Sequence, residues 1–167
     1  MPSIETPHRL FLEELADMLF VEQTLAEKTL PTLREEVTDE EFRRGIEQHI
    51  EQTRRHAERV EEVFDIFGEK PETETCEGLL GLQKEHDEMV DDLAPELCDV
   101  FDAGAAAKTE HYEISAYESL ITMARALGQK DAVQLLEENI REEKETLREI
   151  ESISKRLTKE LAQRVSA

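Results

Sequence analysis

Phe42-Arg43-Arg44-Gly45-Ile46-Glu47-Gln48-His49-Ile50-Glu51-Gln52-Thr53-Arg54-Arg55-His56-Ala57-Glu58-Arg59-Val60 carries both messages of this sequence. Phe42, Ile46, Ala57 and Val60 fall on one stripe of an α-helix, at spacings built from threes and fours. His49, Thr53 and His56 lie on the same stripe, between the apolar residues. The segment is therefore an amphipathic helix whose buried face is interrupted by polar groups. It begins at Thr38-Asp39-Glu40-Glu41, where Thr38 or Asp39 can cap it. It runs to Phe67 and stops at Gly68, with Pro71 just beyond.

Three more long periodic stretches flank it. The first runs from about Thr6 to Glu36, with Pro7 in its first turn. Its stripe is Leu12, Leu15, Leu19, Ala26, Leu30, Leu33 and Val37, and Pro31 should bend it near residues 27–31. Another starts near Pro95 and ends at Gly128, with Ala103, Ala106, Tyr117, Leu120, Ile121 and Ala124 on its stripe. The last starts near Lys130-Asp131 and runs to about Ala162, with Ala132, Leu136, Leu147, Ile150, Ile153, Leu157 and Leu161. The tail 163–167 is expected to fray. Between the second and third stretches, Pro71-Glu72-Thr73-Glu74-Thr75 reads as a polar linker. Cys76 to Asp92 reads as a short helix with Leu79, Leu82, His86 and Met89 on one side.

Short connections make antiparallel neighbours, so the four helices pair as two hairpins. The longer passage at about 69–94 joins them as a crossover. This is the wiring of a ferritin-like four-helix bundle, all-α, forming one domain over 1–167 with its core at about 7–162. A weak internal repeat supports the pairing. Phe42, Ile46, His49, Thr53, His56 and Val60 recur 90 residues later as Ala132, Leu136, Asn139, Glu143, Thr146 and Ile150.

The composition excludes several classes. The 167 residues carry 20 Lys+Arg against 41 Asp+Glu, a formal net charge of −21. Phosphate backbones and anionic membrane surfaces repel such a chain, so neither nucleic acid nor membrane is an expected partner. No apolar run approaches membrane-spanning length, and the N-terminus shows no leader pattern, so a cytoplasmic protein is expected. Cys76 and Cys98 form no CxxC pair and are expected as free structural thiols. There is no Gly-rich phosphate loop.

The chemistry lies in the interrupted stripes. Glu22 falls among Leu15, Leu19, Ala26 and Leu33. Glu110 and Glu113 lie between Ala106 and Tyr117, and Glu143 and Thr146 lie between Leu136 and Ile150. Every long helix thus sends a polar group into the presumed core at a middle level. Burying four carboxylates together is prohibitive unless protons or cations compensate them, and the stripes hold no Lys or Arg at that level. A bound metal is the economical answer. Glu oxygens with His nitrogens are the donor set of di-iron and di-manganese carboxylate bundles, in which i, i+3 pairs aim at one centre. That spacing occurs in Thr53/His56, Glu110/Glu113 and Glu143/Thr146. Each residue also has a plainer reading. Glu22 can reach solvent if the bend at Pro31 misphases it, and Glu110 can pair with Lys108 or Arg125. Glu142 belongs to a solvated face. His8, His86 and His111 face water or the bundle's flank, and Tyr117 is either a core side chain or a hydrogen-bond donor beside the ligands.

The sequence also resembles a known family, the YciF-type branch of ferritin-like proteins linked to bacterial stress responses. The likeness spans roughly residues 10–155. It rests on Leu10-Phe11-Leu12-Glu13-Glu14-Leu15, Glu22-Gln23-Thr24-Leu25 and His49-Ile50-Glu51-Gln52-Thr53. It continues through Cys76-Glu77-Gly78-Leu79-Leu80-Gly81-Leu82 and Glu110-His111-Tyr112-Glu113-Ile114-Ser115-Ala116-Tyr117. Its last blocks are Leu135-Leu136-Glu137-Glu138 and Glu142-Glu143-Lys144-Glu145-Thr146. The resemblance implies a dimeric ferritin-like bundle with a short crossover helix. It is also similar to rubrerythrin-type sites, whose third helix carries a Glu-x-x-Glu like Glu110/Glu113. Carried over by position, it implies Glu22, Glu110, Glu113 and Glu143 as carboxylate ligands and His56 as the second helix's histidine. Thr53 stands where such a site has Glu, and Thr146 stands near where the last helix would place His. His49, one turn before Thr53, can substitute.

Two functions follow as expectations. The first is a metal protein with two ions of Fe, Mn or Zn per bundle, held by Glu22, His49, His56, Glu110, Glu113 and Glu143. Thr53, Tyr117 and Thr146 would stand beside the ligands, and the chemistry would be oxidase or peroxide-consuming. The second is a non-catalytic, dimeric helical stress or interaction protein with a vestigial metal site. A cage is not expected, because no further C-terminal helix follows. The acid is mostly Glu, 32 to 9 Asp, and Lys is scarce at 8 to 12 Arg, a balance that also suits a salt-rich cytoplasm.

Overall fold

The structure, a computed structural model, describes residues 4–165. Its elements are α1 (Pro7–Thr24), a π-helical turn (Leu25–Thr29), α2 (Leu30–Glu36), α3 (Glu40–Ile66), α4 (Glu77–Val90), α5 (Pro95–Ala126) and α6 (Lys130–Val165). No strand occurs among the described residues. α1 starts at Pro7 because the Thr6 hydroxyl accepts from Arg9 N at 3.1 Å. Of the two candidate caps for α3, Asp39 does the work, accepting from Phe42 N at 2.9 Å. Gly68 and Gly128 end α3 and α5 with φ of 74° and 76°, the left-handed conformation that only glycine adopts without strain.

The expected effect of Pro31 takes the form of the π turn. Proline has no N–H to donate and its ring crowds the carbonyl four residues back. The helix widens ahead of it, so that Leu30 N bonds Leu25 O, five residues earlier. The Thr29 hydroxyl reaches Thr24 O at 3.4 Å. The first helical limb thus continues from Pro7 to Glu36 with a widened turn in its middle.

The four long limbs form a ring in which α1 touches α3, α3 touches α6, α6 touches α5 and α5 touches α1. One anchor sets the direction of the crossover. The Asp99 carboxylate accepts from Thr38 N at 3.0 Å and Asp39 N at 2.8 Å, which ties the start of α5 to the start of α3. α3 and α5 therefore begin at the same end, and the chain after Ile66 must return along the bundle. On the way Glu74 N bonds Ala16 O at 3.3 Å, and α4 packs on α5. The result is an all-α four-helix bundle with a short crossover helix.

The core is built from the stripes. Phe11, Leu15, Leu19, Phe42, Val60, Leu120 and Leu136 are at most 1 % exposed. Full burial of such a side chain contributes roughly 1.5–3 kcal/mol. Two expectations need correction. Met89 is 49 % exposed, while Leu82, His86 and Val90 of the same helix remain half-buried. The helix of α6 extends to Val165, past the expected end near Ala162, and positions 166–167 lie outside the described residues. Both cysteines are free, and Cys76 lies with its sulfur 2.8 Å from the Tyr112 hydroxyl. No helix among the described residues is long and apolar enough to cross a membrane.

Candidate metal centre

All the polar residues that interrupt the stripes meet at one level. Glu22 from α1, His49, Thr53 and His56 from α3, Glu110 and Glu113 from α5, and Glu143 and Thr146 from α6 are all buried. Glu22, Thr53, His56, Glu113 and Glu143 are 0 % exposed. The i, i+3 and i, i+4 spacings achieve this because residues three or four apart stack on one helix face.

Two groups of donor atoms converge. Glu22, His56 and Glu143 form one, and His49, Glu110 and Glu143 form the other; within each, the atoms lie within 4.8 Å of one another. Glu143 belongs to both. His56 Nδ1 lies 2.7 Å from Glu143 Oε1 and 3.6 Å from Glu22 Oε2. His49 Nε2 lies 3.1 Å from Glu110 Oε1 and 3.9 Å from Glu143 Oε2. Glu113 joins neither trio but feels the charges of Glu143, Glu22 and Glu110.

The hydrogen-bond accounting is unusual. Buried polar atoms almost always find partners. Among the described residues, the buried side-chain atoms without one are Glu22 Oε2, His56 Nδ1, Glu110 Oε2, both oxygens of Glu113, both oxygens of Glu143, and Arg156 Nε. All but the arginine belong to this cluster. His56 Nδ1 does lie within ion-pair distance of Glu143 Oε1, at 2.7 Å. The atoms without hydrogen-bond partners thus gather in one cluster, where two trios of donor atoms lie close enough together that they could hold an ion.

The electrostatics agree. Burial, reinforced by the charges of Glu143, Glu22 and Glu110, pushes Glu113 well above the ordinary carboxyl range. Burial also raises Glu22 and Glu143, although His56 partly offsets it for both. Burial alone would depress the histidines. Glu110 and Glu143 outweigh it for His49, raised to about 9, and Glu22 and Glu143 outweigh it for His56, raised to about 11.

The neighbouring side chains hold this set in place. Tyr117 donates its hydroxyl to Glu22 Oε1 and accepts from Asn139 Nδ2 at 2.9 Å. Thr146 Oγ1 lies 3.3 Å from His49 Nδ1. Thr53 donates to its own helix, at His49 O, 2.9 Å away. Of the plainer alternatives, Glu22 does not reach solvent. Nor does Glu110 pair with Lys108 or Arg125, which bond Glu85 and Glu137 instead. His8 and His111 are exposed, as expected.

Glu142 is a correction. It is not a solvated face residue, since its side chain is 16 % exposed and accepts from His56 Nε2 at 2.8 Å. Arg59 also bonds it, at 3.0 Å, and Arg59 with His56 holds its carboxyl below the ordinary value against burial. A carboxylate on one ring nitrogen directs the other toward a metal position. Asn139 was not anticipated as a site residue. The repeat had aligned it with His49, and its place one turn before Glu143 on the α6 stripe was the available signal. His86 faces the bundle's flank, as expected, half-buried and 2.9 Å from Asp102 on α5, itself only 2 % exposed.

The chain can now be compared with known proteins. Residues 6–163 match the family model described as a domain of unknown function, DUF892. The chain is 31 % identical to Protein YciF of Escherichia coli strain K12 over 146 residues, covering 86 % of this chain and 87 % of that one. The crystal structure of the E. coli stress protein YciF superposes with a TM-score of 0.87 at 28 % identity, covering 93 % of this chain and 99 % of that one. YcfI from Rhodopseudomonas palustris, proposed as a structural protein, gives a TM-score of 0.86 at 35 % identity, over 89 % and 95 % of the two chains. A family model matched over residues 6–163 and 31 % identity to YciF over most of both chains, on an all-α bundle of the same fold, place this chain in the DUF892 family of YciF-like proteins.

Proposed function

We propose that the protein binds two divalent transition-metal ions in the bundle core, iron or manganese before zinc. Glu22 and His56 hold one ion, His49 and Glu110 the other, and Glu143 serves both. Glu113 adds the fourth carboxylate. The observation that carries the reading is the cluster of buried carboxylate and imidazole donors, many lacking hydrogen-bond partners, that lie within 4.8 Å of one another in two trios. Charge balance supports it. Four carboxylates exceed two imidazoles even when both rings are protonated, whereas two divalent cations neutralise the four carboxylates and leave both rings free as ligands.

Bound iron or manganese would supply redox chemistry with dioxygen or peroxide. The chain's own part is to exclude water, to fix His56 through Glu142 and His49 through Thr146, and to hold a proton on Tyr117 beside Glu22. The stress setting and a homodimer are part of the proposal, supported by the family. Light scattering at twice 19.2 kDa tests the dimer.

Elemental analysis of protein purified without chelator, followed by anaerobic Fe²⁺ or Mn²⁺ titration, tests the centre. Two ions per chain are expected. Ions at 100 times their dissociation constant should stabilise by about 2.7 kcal/mol per site. Absence of bound metal together with a melting temperature unmoved by Fe²⁺, Mn²⁺ and Zn²⁺ would leave the second reading, a non-catalytic helical protein with a proton-shared polar core.

A further inference from the structure

Between α4 and the bundle lies a cavity of about 370 Å³. It is open to solvent on one side, and its volume lies within the range of small-molecule sites, about 300–1,000 Å³. Its walls are largely apolar and include Leu25, Phe42, Ile46, Phe101 and Ala106. His49, Glu110 and Glu113 also line it, and these are buried residues, so they form its floor. The exposed Glu36, Glu85, Asp87 and Asp91 line its mouth.

The roof is built to stay off the floor. α4 has 14 residues and fully buries one of them, Leu79. Leu82 and Val90 line the cavity and remain half-buried. An apolar helix face ordinarily collapses onto the core. Here polar contacts hold it at both edges. Gln83 Nε2 donates to Thr29 Oγ1 in the π turn at 2.6 Å, and His86 Nε2 lies 2.9 Å from Asp102 Oδ1 on α5. The His86 ring also stacks on Phe101. Glu110 and Glu113 border its inner end, and Glu110 Oε2 and both oxygens of Glu113 lack hydrogen-bond partners.

We propose that this cavity is the binding site for an uncharged, predominantly hydrocarbon small molecule whose reacting end lies at the carboxylate cluster. The proposal names the substrate class of the metal centre and rests on that reading. Charge selects the class. Eight carboxylates of the lining, among them the exposed Glu36, Glu85, Asp87 and Asp91, face two lysines. One of these, Lys108, is already paired with Glu85 at 3.1 Å. A fatty-acid carboxylate entering this field is repelled, and a neutral alcohol, aldehyde or hydrocarbon is not.

The test uses the neutral fluorophore phenylnaphthylamine with the full chain, metal-loaded and chelated. Saturable one-to-one binding is expected, displaced by decyl alcohol at least about tenfold more effectively than by decanoate. Ala106→Phe fills the cavity from α5 and should weaken binding by about tenfold or more while Mn²⁺ binding persists. Leu82→Trp fills it from α4, outside the bundle core, and should do the same if Ala106→Phe does not fold. Absence of saturable binding, binding unchanged in both variants, or equal displacement by decanoate overturns the proposal. So does an affinity that falls as protein concentration rises, since a second copy would then be the occupant. Fluorophore binding in a protein that takes up no metal leaves the cavity standing and removes the metal reading. Metal uptake without fluorophore binding does the reverse.

Discussion

Glu113 is 0 % exposed, and neither of its carboxylate oxygens has a hydrogen-bond partner. A residue in that state destabilises the metal-free fold and becomes useful only with a cation beside it. Glu113→Gln should therefore raise the chelated protein's stability at neutral pH by about 1–3 kcal/mol and weaken Mn²⁺ binding. Denaturant unfolding with chelator, set against a Mn²⁺ titration, reads both. A variant less stable without metal and unchanged in affinity would show that the carboxylate is structural. Glu142→Gln should leave the fold intact and lower ion affinity about tenfold, because it weakens the acceptor that orients His56. The histidines set the pH behaviour of the chelated protein. With His49 raised to about 9 and His56 to about 11, their contribution is complete below the ordinary histidine value and is lost as pH rises through those points. The raised Glu22, Glu113 and Glu143 act in the same sense, since their folded state favours the proton. Thermal melts in chelator should fall steadily from neutral pH upward. A flat profile would contradict the buried charge pairs.

At the scale of the element, the bundle depends on a few polar anchors at helix ends. Asp99 accepts from Thr38 N, Thr38 Oγ1 and Asp39 N, so one carboxylate joins the start of α3 to α5. It also lies at the positive end of the α3 dipole. Asp99→Ala should cost about 1–2 kcal/mol, measured by thermal unfolding, without changing the metal stoichiometry. An unchanged melting temperature would mean that water replaces it fully. The π turn shows an element shaped by a single residue. Pro31 removes one donor, the helix widens over Leu25–Thr29, and the freed Thr29 side chain becomes the acceptor that holds α4 through Gln83. A helix defect thus shapes the wall of the cavity beside the candidate metal centre.

The whole molecule carries −21 formal charges on one bundle. Four of its glutamates are internal and belong to the candidate centre; the rest form mainly an outer coat whose charges repel one another. Salt screens this repulsion, with a Debye length of about 3 Å at 1 M. The unfolding midpoint should rise as KCl increases toward about 1 M. A midpoint indifferent to KCl would count against adaptation to a salt-rich interior.

The helices, their order and their inward faces were legible in the sequence, because the 3.6-residue period and the glycine and proline punctuation are local properties. Burial of Glu22, His49, Thr53, His56, Glu110, Glu113, Glu143 and Thr146 was legible for the same reason, since each lies on a stripe. Which of them share a point in space was not, because that depends on the distance and rotation between four separate helices. Only the tertiary structure assigned Glu143 to both trios, left Glu113 outside either, and turned Thr53 back to its own helix. Glu142 was misread because it lies one residue off the stripe, where periodicity predicts water. Only the approach of α3, bringing His56 and Arg59, covers it. The cavity under α4 was equally invisible, because it is a space between elements, held open by contacts from Gln83 to Thr29 and from His86 to Asp102 that no local pattern encodes.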